Sequence, residues 1–320
     1  MKWKVLISAP NLLAVLDNYR DSLESQGVEI VLPRDDVAEC LDEDALLHLV
    51  TDIDGAICGD DQFTQSVMNS APRLKVISKW GTGVDSIDAE AAGRLGIRVF
   101  RTAGAFADPV SDTVLGYILM FARSIIPKDK TVRRGIWQKV PSVTLKESTL
   151  GVIGVGHIGK AVVKRAVAFG MRVLGNDIID LPGEFLDETG LQPVPLEELL
   201  KESDFVSLNC DLNPTSLHLI GKRELEWMKS SAILINTARG PVIDEPALSE
   251  ALGTFQIAGA ALDVFEEEPL PEDSPLRRMD NCFFSPHNAN SSPEVFKIVH
   301  DLSIANLLEG LKIDLNRKKR

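Results

Sequence analysis

From residue 4 to about 100, short β-branched and aliphatic runs alternate with stretches whose apolar positions recur every three to four residues. The runs at 5–8, 28–32, 55–58, 74–78 and 97–100 read as strands, and 12–25 and 89–95 read as helices. Such alternation predicts a parallel sheet covered by helices, because each crossover helix must lie over the sheet it connects. A second series begins at Thr149, with strand candidates at 150–154, 172–176, 205–209, 232–236, 257–262 and 282–285. Helical patterns separate most of these, which predicts a six-stranded doubly wound sheet.

Between the two series, residues 109–126 carry Val110, Val114, Leu115, Ile118, Leu119 and Phe121 at a spacing that suits a largely buried connecting helix. The charged segment KDKTVRRG follows it. After Pro293 a last amphipathic helix has no strand behind it and is expected to return to the first domain. No internal repeat is visible. A chain of 320 residues exceeds what one core comfortably supports, so two domains are expected. The predicted fold class is α/β with two doubly wound parallel-sheet domains. A Rossmann-type dinucleotide domain over 103–291 is inserted in a flavodoxin-like substrate domain made of 1–102 plus 292–320.

Composition narrows the partners. With 44% hydrophobic residues the chain is globular rather than disordered. Its 34 Lys and Arg against 47 Asp and Glu give a formal charge of −13, which disfavours nucleic acid and anionic membranes. An anionic ligand must then be held by a local device. Cys40, Cys58, Cys210 and Cys282 are scattered and the five histidines form no ligand pair, so no metal is expected and a reducing cytoplasm fits. The N-terminal apolar run is too short for a signal peptide, no run spans a membrane, and the basic residues 316–320 read as a solvated tail.

The strongest motif is TLGVIGVGHIGKAVVKRAVAFG, where Gly154, Gly156 and Gly159 form GxGxxG between an apolar strand and a periodic helix. The first glycine permits the turn, the second lets a pyrophosphate reach the backbone, and the third lets helix and strand pack closely. Asp177 ends the next strand, where a carboxylate accepts the ribose hydroxyls and repels a 2′-phosphate, so the expected cofactor is NAD rather than NADP. His157 and Ile158 in the turn, with Asn209, Thr237 and Ala238 at later strand ends, complete the candidate cofactor contacts.

Arg239 in INTARG, Glu268 in ALDVFEEEP and His287 in SPHNA stand at the ends of later strands, where ligands of open α/β sheets bind. A cation to hold a carboxylate and polarise a carbonyl, with a proton donor for the developing alkoxide, is what hydride transfer to a 2-oxo acid needs. A carboxylate beside His287 favours its charged form near neutral pH. Glu266 and Glu267 compete with Glu268 for that place; spacing from Asp263 and Pro269 favours Glu268.

These motifs, together with GTGVDSIDAEAA at 81–92, LINTARGPVIDEPAL and GAALDVFEEEPL, resemble the D-2-hydroxyacid dehydrogenase family over nearly the whole chain, most of all its phosphoglycerate dehydrogenase branch. The resemblance implies an NAD-dependent enzyme interconverting a small 2-hydroxy acid and its 2-oxo acid, of phosphoglycerate, hydroxypyruvate or glyoxylate type. It implies that Arg239 binds the substrate carboxylate and carbonyl, that His287 is the acid/base, and that Glu268 hydrogen-bonds His287. It also implies that Asp263 contacts the nicotinamide side and that Gly81, Thr82 and Gly83 offer amides to the carboxylate. The chain stops short of a regulatory domain that some members carry. A homodimer held by the connecting helix, the loop after it and Trp137 is expected from the same resemblance.

The loop RTAGAFADPVSD departs from the family pattern, with Asp112 where Glu is customary. Lys79 and Arg101 are candidates for reading a second anionic group on the substrate; the alternative pairs Arg101 with Asp108 or Asp112. Asp211 and Asn290 also depart from the pattern. Two rival functions share the fold: an NAD-sensing interaction protein of corepressor type, and oxidation of formate or phosphite.

Overall fold

The two series of alternating elements form two parallel sheets in the computed structural model, which describes residues 2–33 and 40–317, with side chains as far as 312. The basic residues 318–320 lie outside the described residues. The chain divides into two compact units: Met1–Ala105 with Ser292–Arg320, and Phe106–Ser291.

The first unit holds a five-stranded sheet ordered β2-β1-β3-β4-β5, with β1 at Trp3–Ile7, β2 at Val28–Val31, β3 at Gly55–Cys58, β4 at Val76–Lys79 and β5 at Arg98–Phe100. Every pairing is parallel. The central strands β3 and β4 are buried at every position, as a sheet covered on both faces requires. Helix Pro293–Arg317 covers one face through Val299, Leu307 and Leu311, and the Ser78 hydroxyl donates to its Ser303 carbonyl at 2.8 Å. The helix Ala89–Leu95 forms as its spacing predicts, capped by Asp88 and closed by Gly96 in the left-handed conformation. The single helix expected at 12–25 is instead two, Pro10–Leu13 and Asp17–Ser25. At the join the amides of Val15, Leu16, Asn18 and Tyr19 reach back three residues rather than four, so the turn tightens while Leu12, Leu16 and Leu23 stay buried.

The second unit holds seven parallel strands rather than six, ordered β12-β11-β10-β9-β6-β7-β8. They are β6 at Thr149–Ile153, β7 at Arg172–Asn176, β8 at Gln192–Pro193, β9 at Phe205–Leu208, β10 at Ile233–Asn236, β11 at Gly259–Leu262 and β12 at Cys282–Phe284. The additional strand β8 is two exposed residues at the edge, too short and too polar to show in the apolar pattern. Strand order reverses beside β6, which makes the crevice beyond the ends of β6 and β9 the topological switch point.

Helix Ala107–Ala122 ends four residues earlier than 126, because Ser124 takes the left-handed conformation at φ 49°. The charged segment after it is helical, Ile125–Arg133, bent 56° from its predecessor. No single helix among the described residues is long and apolar enough to cross a membrane.

Candidate active site

The glycine-rich turn joins β6 to helix His157–Ala168, and sterics dictate two of its glycines. Gly154 has φ +83°, and a Cβ there would stand 2.6 Å from the Cys210 nitrogen; a Cβ on Gly159 would stand 2.1 Å from the Gly154 carbonyl oxygen. Gly156, the residue before the helix, has no heavy atom within 4 Å of where its Cβ would be. That opening faces first-turn amides which no helix carbonyl can satisfy, a fit for a pyrophosphate. Asp177 leans toward the same turn: its Oδ2 accepts the Val155 amide at 2.6 Å and its Oδ1 accepts the Ile179 amide at 3.2 Å. A carboxylate offers about four lone-pair sites, so room remains for ribose hydroxyls. At the end of β10, Thr237 Oγ1 is buried without a partner among the described residues, an unmet polar atom beside the switch point. Asn209 is turned inward, its side-chain amide donating to Ser207.

Arg239 extends from the turn after β10. Asn236, which sequence reasoning passed over, shapes that turn: its Oδ1 accepts the Ala238 amide at 3.0 Å and its Nδ2 donates to the Arg239 carbonyl at 2.8 Å. An Asn closing a strand before Arg is the available signal, since its side chain makes local turns. Arg239 Nη1 donates to the Ala238 carbonyl at 2.9 Å.

Glu268 Oε2 lies 2.8 Å from His287 Nδ1, while its Oε1 accepts the Phe265 amide at 3.0 Å. Burial pushes the Glu268 carboxyl up, but the hydrogen bond and charge of His287, the Phe265 amide and the Arg239 charge outweigh it and hold the group below its ordinary value. The other residues of the acidic run go elsewhere: Glu266 meets His218 Nε2 at 2.9 Å, the Glu245 amide donates to its carboxylate and its own amide donates to the Glu245 carboxylate, and Glu267 is exposed.

Asp263 is buried at the end of β11. Its Oδ1 and Oδ2 accept the amides of Asn288 and Ala289, each at 2.9 Å, and its carbonyl accepts the His287 amide at 2.7 Å. Three consecutive amides thus hang from one residue, and His287 sits among them at φ 51°, a conformation an ordinary residue keeps only when its surroundings enforce it. Asp263, a candidate cofactor contact, thus also holds the histidine loop.

In the first unit, the turn after β4 is laced to the end of β5. The Gly81 carbonyl accepts both the Thr102 amide at 2.9 Å and its hydroxyl at 3.0 Å, and Arg101 Nη1 donates to the Thr82 carbonyl at 3.3 Å. Gly83 completes the turn. Lys79, a candidate substrate cation, is buried, and its ammonium donates to the Gly59 carbonyl and pairs with Asp60. A charge removed from water keeps its partners close, and these lie on the neighbouring strand end. Asp108 and Asp112, considered as partners for Arg101, both pair with Arg165. Among the described residues no group of His, Cys, Asp and Glu is arranged to hold a metal ion.

The arrangement in the second unit supplies an anion-binding turn, a guanidinium and an imidazole backed by a carboxylate. Residues 115–289 match the family model for the D-isomer specific 2-hydroxyacid dehydrogenase, NAD binding domain. The chain belongs to this family. It is 40% identical over 299 residues to a glyoxylate reductase of Korarchaeum cryptofilum, covering 92% of this chain and 85% of that protein. It is also 40% identical over 301 residues to a D-3-phosphoglycerate dehydrogenase of Methanocaldococcus jannaschii, covering 92% of this chain but 57% of that one. Among solved structures, the D-lactate dehydrogenase of Aquifex aeolicus complexed with NAD and lactic acid is 26% identical, with a TM-score of 0.86 over 99% of this chain and 97% of that one. This D-2-hydroxyacid dehydrogenase is thus an NAD-dependent oxidoreductase of 2-hydroxy acids.

Proposed function

We propose that the enzyme interconverts a short, unphosphorylated 2-oxo acid of glyoxylate or hydroxypyruvate type and its 2-hydroxy acid. The observation that carries the catalytic reading is the 2.8 Å contact between His287 Nδ1 and Glu268 Oε2, with Arg239 close enough to bias the same carboxylate. Nδ1 engaged by a carboxylate leaves Nε2 to give or take the substrate proton. NAD, when bound, would supply or accept the hydride. The turn from Gly154 to Gly159 with His157 and Ile158 would hold its pyrophosphate, Asp177 its ribose hydroxyls, and Thr237 and Ala238 would line the remainder. Arg239 neutralises the acid's carboxylate and polarises the carbonyl. In the first unit, the turn of Gly81, Thr82 and Gly83 is read as a carboxylate seat through its amides. His287 protonates the developing alkoxide in reduction and deprotonates the hydroxyl in oxidation, and Glu268 stabilises the imidazolium form.

The restriction to small acids rests on Lys79. With its ammonium committed to Asp60 and Gly59, a second anionic group on the substrate would depend on Arg101 alone. The relatives named glyoxylate reductase lend the same reading support. We also propose a cytoplasmic homodimer in which Ile136 and Trp137, the latter 92% exposed, are covered by a second copy.

The test is NADH oxidation with glyoxylate, hydroxypyruvate, 2-oxoglutarate and a phosphorylated three-carbon oxo acid. Turnover is expected with the first two and is lost in His287→Asn. Preference for the phosphorylated acid would overturn the substrate assignment, and absence of turnover with all four would overturn the catalytic one.

A further inference from the structure

Trp80 links the turn of Gly81, Thr82 and Gly83 to a distant helix through one hydrogen bond. Its indole nitrogen lies 2.9 Å from Nδ1 of His300, on helix Pro293–Arg317. Both residues are buried, at 7% and 6% exposure, so neither group has water as a substitute partner. Packing fixes the pair further. Phe296 meets the Trp80 ring edge-on at 5.2 Å, and Tyr19 lies 5.8 Å from the imidazole. An indole nitrogen can only donate, so His300 Nδ1 must be the acceptor and the ring must be neutral with its proton on Nε2. Trp80 directly precedes Gly81, whose φ of +145° and doubly bonded carbonyl leave that turn little freedom once the indole is anchored.

We propose that His300 is a positioning residue for the substrate: by accepting the Trp80 indole N–H, it holds the turn of Gly81, Thr82 and Gly83 in the shape that receives the acid's carboxylate. The inference rests on the reading of that turn as a carboxylate seat. His300 touches neither substrate nor cofactor in this role. Burial lowers the pKa of His300 against an opposing pull from Asp301 on its own helix. Asp301 also engages Tyr19, the titratable group presented by helix Asp17–Ser25. The neutral acceptor therefore persists below the usual histidine range. Protonation would set an imidazolium N–H against the indole N–H and release the turn.

The experiment compares His300→Leu, which removes the acceptor, with His300→Asn, whose side-chain oxygen can replace it. With the best 2-oxo acid of the wild type, His300→Leu is expected to raise the acid's KM about tenfold, with kcat within about twofold and the KM for NADH unchanged. His300→Asn is expected to stay within about threefold of wild type, and to lose the rise in KM that the wild type shows as pH falls through the His300 titration. Should His300→Leu fail to fold, Trp80→Phe keeps the ring, deletes the donor and is expected to raise the same KM alone. An unchanged acid KM in His300→Leu or Trp80→Phe, equal losses in the Leu and Asn variants, or parallel changes in kcat and NADH KM would overturn the proposal. Those outcomes presuppose an active wild type. A wild type that turns over no 2-oxo acid would instead remove the carboxylate seat, and this role with it.

Discussion

Glu268 is pulled in two directions, by burial toward the neutral form and by His287, the Phe265 amide and Arg239 toward the anion, and the second set wins. Its negative charge in turn favours the imidazolium of His287. Reduction consumes that proton, so the reductive rate falls as pH rises through the histidine's titration, whereas oxidation needs the neutral ring and rises there. In Glu268→Gln both limbs are expected to move to lower pH by about one unit or more, measured as kcat/KM against pH in each direction. Limbs that stay in place would remove Glu268 from the proton path. Because its folded pKa lies below the ordinary value, Glu268 also contributes stability that is present above the usual carboxylate range and lost as pH falls through the folded value. Partial exposure keeps that contribution small. At this scale the sequence was legible where a motif fixed the spacing, as with Glu268 over Glu266 and Glu267. It was not legible for Lys79, whose partners Gly59 and Asp60 lie about twenty positions away and become neighbours only when β3 and β4 pair.

Two elements of the second unit carry the site without touching ligand. Helix Ala107–Ala122 is tied to the dinucleotide helix His157–Ala168 by Arg165, which reaches Asp112 at 2.7 Å and Asp108 at 2.9 Å. Both carboxylates are largely exposed, so Asp112→Asn is expected to cost no more than about 1 kcal/mol in urea unfolding, and less at high salt. The 3-10 turn Gly240–Val242 is less forgiving. A Cβ on Gly240 would stand 1.8 Å from the Phe265 carbonyl carbon, so the chain bearing Arg239 lies in backbone contact with the chain leading to Glu268. Gly240→Ala is expected to lower stability by about 3 kcal/mol or more and to raise the KM for the 2-oxo acid, read by thermal melting and steady-state kinetics. A stable, kinetically normal variant would show that the two segments can part at no cost. Long apolar strands such as β6, β7 and β9 were readable because burial on both faces demands continuous apolar runs. The two-residue β8, the tightened join between Leu13 and Asp17 and the helix Ile125–Arg133 were not, since each depends on hydrogen bonding with little apolar signature.

For the whole molecule, Ile125, Val132, Ile136 and Trp137 are exposed on neighbouring stretches of chain, an apolar run that a lone monomer would leave in water. If the proposed homodimer forms through this run, Trp137→Ser combined with Ile136→Lys is expected to shift sedimentation from dimer toward monomer, and an unchanged sedimentation coefficient would remove this run from any interface. The first unit joins both ends of the chain, which sets an order of assembly during translation. Its strands emerge first, but the helix that covers β3, β4 and β5 arrives only after all of Phe106–Ser291 has been made. At about 5–20 residues per second, the nascent sheet waits on the order of tens of seconds with the Val76 side of β4, which Gly310 of the helix later covers, open on the ribosome. The contiguous second unit can close meanwhile, so chaperone demand should fall on the amino-terminal portion, and a stalled ribosome would release a finished dinucleotide module trailing an unfinished one.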